Sequence, residues 1–138
     1  MYGKYKHTLD AKGRLFVPAK LREELGDAFY IATSADACLR LYPEAEWKRV
    51  LERCEQLPGA EVRKLRGFFA SVNKIEPDKQ GRFLLPESYR KYAGIEQDVY
   101  FLGQANVAEI WAADRYEAEE AKYMTPENIA AVMDALGL

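Results

Sequence analysis

Apolar residues recur along this chain with two different periods, and the two kinds of stretch take turns. Alternation with a period of two marks Tyr5–Leu9, Arg14–Val17, Phe29–Thr33 and Cys38–Tyr42 as strands. In the second half of the chain it marks Ser71–Ile75, Val99–Gly103 and Val107–Trp111. Helical spacing takes over elsewhere. Pro18 suits a first helical position, Leu21 and Leu25 share one side of a short helix over Pro18–Leu25, and Gly26 suits its C-terminal cap. Trp47, Val50, Leu51 and Cys54 form an i, i+3, i+4, i+7 stripe. Residues 59–70 predict a further helix with Val62, Leu65 and Phe69 inward. A last helix is predicted to start at Thr125-Pro126, a cap followed by proline, with Ile129, Val132, Met133 and Leu136 as its apolar stripe.

The order of these elements repeats, and so do the residues. Asp10-Ala11-Lys12-Gly13-Arg14-Leu15-Phe16-Val17-Pro18 returns 68 positions later as Asp78-Lys79-Gln80-Gly81-Arg82-Phe83-Leu84-Leu85-Pro86. Arg22 then matches Arg90 and Gly26 matches Gly94; after a slip of one residue, Leu41-Tyr42 matches Ile110-Trp111 and Trp47 matches Tyr116. Asp, Gly, Arg and Pro recurring at fixed offsets predict two copies of one unit related by a pseudo-two-fold axis. Neither copy is long enough to bury a core alone, so the two hairpin sets are expected to interleave. Each Asp-x-x-Gly suits a short hairpin loop. Asp accepts N–H bonds from two residues on, and Gly admits positive φ.

Composition fits a packed globule, with 49% hydrophobic and 30% charged residues. No apolar run is long enough to span a bilayer, and MYGKYKHTLD lacks the apolar stretch of a signal peptide, so a cytoplasmic location is expected. The net charge of −2 hides a strong segregation. Residues 1–22 carry six Lys/Arg against one acid, and residues 63–91 carry eight against three. Residues 23–62 and 92–138 are acidic, with nine acids in each against four and two bases. Phosphate responds to local positive potential rather than to net charge. A nucleic-acid partner therefore stays open.

Catalytic chemistry finds little footing. His7 is the single histidine, and no nucleophile–base set forms around it. Cys38 and Cys54 lie in different elements and make no metal or redox motif. Glu117, Glu119 and Glu120 fit a solvated helix face. The sequence implies no enzyme, no metal, no cofactor and no small-molecule substrate. The duplicated Asp-x-x-x-Arg turns are the candidate site. In the plainer view Asp10 merely ties its own turn and pairs with Arg14. In the functional view Asp10, Gly13, Asp78 and Gly81 shape two hairpin tips. Arg14 and Arg82 then offer forked guanidinium groups to phosphate or a guanine edge, and Lys6, Lys12, Lys74 and Lys79 neutralise phosphates. A protein-interaction module using basic hairpins to dock an acidic partner fits the same charges, and a single-strand binder is a further alternative.

The stretch Tyr2-Gly3-x-Tyr5-x-His7-x-Leu9-Asp10-x-Lys12-Gly13-Arg14-x-x-x-Pro18 resembles the start of MraZ proteins. So does the second copy, Asp78-Lys79-Gln80-Gly81-Arg82-x-x-Leu85-Pro86. Leu41-Tyr42-Pro43 with Trp47, Arg66-x-Phe68-Phe69, and Gly103 ahead of Ile110-Trp111 extend the likeness over nearly the whole chain; Tyr116 departs from it, standing where tryptophan is more typical. The resemblance implies an α+β fold with a pseudo-two-fold, β-barrel-like core. Two swapped-hairpin halves of the AbrB/SpoVT type, residues 1–60 and 61–138, would interleave in it, with short helices at the periphery. It also implies a nucleoid-associated transcriptional regulator that assembles into rings. Such a regulator would bind tandem repeats of double-stranded DNA upstream of the division and cell-wall gene cluster, including its own gene. The DNA-binding element of the family falls on Asp10 and Arg14, and on Asp78 and Arg82.

Overall fold

A computed structural model describes residues 1–138. The chain runs β1 (Lys4–Thr8), β2 (Arg14–Phe16), α1 (Ala19–Leu25), β3 (Phe29–Ser34), β4 (Cys38–Pro43), α2 (Glu44–Glu55) and α3 (Val62–Ala70). It continues through β5 (Asn73–Ile75), β6 (Arg82–Leu84), α4 (Glu87–Ala93), β7 (Asp98–Gln104), β8 (Val107–Ala112), α5 (Ala113–Tyr123) and α6 (Pro126–Ala135). Pro18 and Pro86 precede their helices rather than opening them: each has ψ near 140°, extended, and serves as the N-cap. Thr125 caps α6 as expected, its hydroxyl accepting from the Asn128 N–H.

The main sheet has six strands in the order β1-β7-β8-β4-β3-β5, and β2 and β6 form a separate two-stranded ribbon. All its strand pairs are antiparallel. Exchange each strand for its counterpart in the other repeat and the order reads the same backwards. The pseudo-axis therefore passes between β4 and β8, and between β2 and β6. The first strand of each repeat pairs with the hairpin of the other: β1 lies on β7, and β5 lies on β3.

The expected barrel-like closure does not occur. β1 and β5 are opposite edges of an open sheet, and the three-residue arms β2 and β6 bond to each other instead of bridging those edges. One face of the sheet is covered by that ribbon with α1 and α4. Phe29, Ile31, Leu39, Leu41, Phe101 and Ile110 from the sheet meet Leu15, Phe83, Leu85, Leu21, Leu25 and Tyr89 there in a single core drawn from both repeats. Alternation in the strands sends their other residues to the opposite face, where α2, α3 and α5 lie. On that face Trp47 stacks on Tyr30 and on Phe68, and Trp111 meets Tyr116 edge-on. Tyr116 thus takes a place equivalent to that of Trp47.

Two helical stripes are rotated or bare relative to expectation. Residues 59–61 form a 3-10 turn ahead of α3. α3 then docks through Phe68, leaving Val62 (51%) and Phe69 (39%) exposed. Ser71 ties the end of α3 to the sheet, its hydroxyl donating to the Phe68 carbonyl at 2.7 Å and standing 3.1 Å from the Thr33 hydroxyl. On α6 the whole stripe faces outward, with Ile129, Val132, Met133 and Leu136 at 39–67% exposure. No helix of the molecule is long and apolar enough to cross a membrane.

Candidate nucleic-acid interface

Both Asp-x-x-Gly-Arg segments fold into the same braced turn. In the first, the Asp10 carbonyl accepts from Gly13 N and the Asp10 N–H donates to the Arg14 carbonyl, each at 3.0 Å. Asp10 Oδ1 accepts from the N–H groups of Lys12 and Arg14, both at 2.9 Å, while Oδ2 accepts from Arg14 Nε at 2.7 Å. In the second, Asp78 Oδ1 accepts from Gln80 and Arg82 N–H groups at 2.9 Å, and Oδ2 accepts from Arg82 Nε at 2.9 Å. The backbone N–H of the arginine, then its side chain and the second N–H, lower the pKa of each aspartate. Gly13 and Gly81 sit at φ of +78° and +82°, the left-handed region that a side chain disfavours.

Anchoring through Nε leaves the two terminal nitrogens of each guanidinium without a partner in the chain. The plainer view of these turns is thus correct as far as it goes. The aspartate does clamp its own arginine, but it also fixes the direction in which the forked donor end projects. Arg14 and Arg82 are 30% and 23% exposed at their side chains, enough to present that end.

The two turns are not separate tips. β2 and β6 pair with Arg14 opposite Leu84, Leu15 opposite Phe83 and Phe16 opposite Arg82. The Val17 N–H donates to the Gly81 carbonyl and the Leu85 N–H to the Gly13 carbonyl, so each turn is also bonded to the other repeat's strand. Leu15 and Phe83 enter the core. The opposite face of the ribbon carries Arg14, Phe16, Arg82 and Leu84, with the arginines on one diagonal. From strand geometry their Cα atoms lie roughly 8 Å apart. The structure gives one composite cationic surface per chain, with Lys12 and Lys79 exposed in its two turns.

Lys6 and Lys74 stand elsewhere. Lys6 faces α5, 3.9 Å from Glu117, and lines an open acidic groove with Glu96, Asp98 and Asp114. Lys74 lies 3.5 Å from Glu44 and over the Tyr30 ring. Both project from the face of the main sheet that carries α2, α3 and α5, while the ribbon covers its other face. Two arginines not singled out from the sequence are at the ribbon instead. Arg22 of α1 lies against Gly81, and its Nη2 donates to the Val17 carbonyl at 2.9 Å. Arg90 of α4 lies against Gly13. Their match in the repeat was the available signal: a basic residue kept at the same offset from both turns. His7 is half-buried against Phe101 and its imidazole is pushed toward neutrality by burial. No three His, Cys, Asp or Glu side chains stand together as a metal site.

The distinguishing surface of this open, duplicated α+β scaffold is its cationic two-stranded ribbon. Residues 1–65 and 68–136 each match the family model described as "MraZ protein, putative antitoxin-like". The protein named "Transcriptional regulator MraZ" of Lachnoclostridium phytofermentans is 41% identical over 138 residues, covering 99% of this chain and 96% of that protein. Those of the same name from Acetivibrio thermocellus and Clostridium tetani are 40% and 39% identical, again over 99% of this chain and 99% and 98% of theirs. This chain belongs to the MraZ family.

Proposed function

We propose that this protein is a sequence-specific, DNA-binding transcriptional regulator, and that the β2–β6 ribbon is its reading head. The observation that carries this is the pair of guanidinium groups aimed by Asp10 and Asp78, with their terminal nitrogens free. Arg14 and Arg82 make the direct contacts to phosphate or guanine, and Lys12 and Lys79 flank them as phosphate ligands. Arg22 and Arg90 add to the local field, and Lys6 and Lys74 contribute only at longer range. The pairing of β1 with β7 and of β5 with β3 supports a swapped-hairpin arrangement of two repeats, residues 1–60 and 61–138. The relatives' name supports the regulatory role.

The bare faces of α3 and α6 support self-association, and with the family likeness a ring. One reading head per chain binds weakly; several on one ring gain effective concentration on tandem repeats. The proposed target is therefore double-stranded DNA carrying at least two repeats about 10 base pairs apart. It lies upstream of the division and cell-wall genes and the protein's own gene. The protein acts in the cytoplasm, at the nucleoid. Docking of an acidic protein partner is less supported, because Lys4, Lys6 and Lys74 already face carboxylates of the same chain.

The test is DNA affinity against salt for Arg14→Ala, Arg82→Ala and the double variant. Each single change is expected to weaken binding and to flatten the log–log salt slope by about 1 for each phosphate no longer neutralised. Undiminished operator affinity in the double variant would remove the ribbon from the interface.

A further inference from the structure

We propose that the ribbon reads thymine, through Phe16 and Leu84 touching 5-methyl groups in the major groove; this rests on the DNA-binding role proposed above. Both side chains lie in strands whose neighbouring residues are buried, Leu15 at 0% and Phe83 at 6%, yet Phe16 is 42% and Leu84 59% exposed. They occupy the second diagonal of the outer face, each opposite one of the arginines. Neither joins any apolar cluster of the chain. The Arg82 guanidinium stands 5.9 Å from the Phe16 ring centroid, and Leu84 lies over the Gly13 turn. The side chains are therefore held in place without being covered.

The shape of the surface identifies the ligand. A two-stranded ribbon, with strands about 5 Å apart, fits a major groove about 12 Å wide. Within that groove the one apolar group on any base edge is the thymine methyl. Two guanidinium forks would hold phosphate or guanine on one diagonal. The only group that gains by meeting bare hydrocarbon on the other diagonal is a methyl. A two-fold-related pair of apolar contacts, one aromatic and one aliphatic, also makes the two directions along the groove unequal.

The experiment uses the full chain and the duplex it protects upstream of its own gene. Each thymine in the protected segment is replaced singly by uracil, which removes only the methyl. Removal of one buried methyl is expected to weaken wild-type binding roughly fourfold at one or two positions. Phe16→Ala and Leu84→Ala should each bind the thymine and uracil duplexes equally at one of those positions, with the salt slope unchanged. Uracil without effect at every position overturns the proposal without any variant being needed. An effect that persists in both variants also overturns it. Either result leaves DNA binding itself intact, whereas the absence of any protected segment overturns that as well.

Discussion

Alanine at Gly81 and at Gly13 should destabilise the protein by different amounts, although the two glycines are repeat equivalents with nearly equal φ. At either position an L-residue forced into the left-handed region costs roughly 1–2 kcal/mol. At Gly13 the added β-carbon finds its nearest neighbours at 3.7 Å, an ordinary van der Waals separation, so no further cost arises. At Gly81 it would fall 2.3 Å from Arg22 Cζ and Nη2. The guanidinium is the far end of a flexible side chain and will swing away, but its bond to the Val17 carbonyl goes with it. That adds about 1 kcal/mol. Gly13→Ala is therefore expected to cost roughly 1–2 kcal/mol and Gly81→Ala roughly 2–3 kcal/mol, a gap of about 4 °C in Tm for a chain of this size. Denaturant melts at one fixed protein concentration measure both, since self-association would otherwise shift the baseline. The decisive comparison is the cycle with Arg22→Ala: in that background the excess cost of Gly81→Ala should vanish. Equal costs at the two glycines, or an excess that survives the removal of Arg22, would refute the bracing of one repeat's turn by the other repeat's helix.

Two further outcomes are expected. Burial, then the nearby Glu109 charge, pushes the Cys38 thiol up to about 12. At pH 8 a thiol reagent should therefore titrate one cysteine, Cys54, in the native protein and two in denaturant. Val132→Glu with Met133→Glu on α6 should leave the fold intact, because neither side chain enters the core, yet reduce the self-association proposed above, as measured by analytical ultracentrifugation.

The repeat made the symmetry and most strands legible, because Asp, Gly, Arg and Pro recur at fixed offsets and the strands alternate cleanly. That the sheet stays open, against the barrel-like core that the family resemblance implied, was not legible. Whether β2 and β6 bridge the sheet edges or bond to each other depends on which strand meets which, and alternation is silent on that. The same limit hid the most informative property of the site. Arg14 and Arg82, 68 residues apart, read as two tips, and only the Leu15–Phe83 pairing shows them to be one surface. Lys6 and Lys74 looked equivalent to Lys12 and Lys79 because charge can be counted without knowing which face of a strand it leaves. On α3, Phe68 and Phe69 are adjacent and equally apolar, so periodicity alone could not choose between them. The choice follows from the seat that Trp47 provides. The α6 stripe is apolar as its spacing implies but faces outward, since amphipathicity reports that a face wants cover without saying which chain supplies it.

Arg40 and Glu109 occupy equivalent places in the two repeats and also sit directly opposite each other where β4 meets β8. Arg40 Nη2 donates to Glu109 at 2.9 Å, and Trp111 holds the other carboxylate oxygen. A half-length chain dimerising in the same way would set this position against itself, cation to cation in the first repeat and anion to anion in the second. The opposed signs thus favour the pairing of unlike repeats over the pairing of like ones.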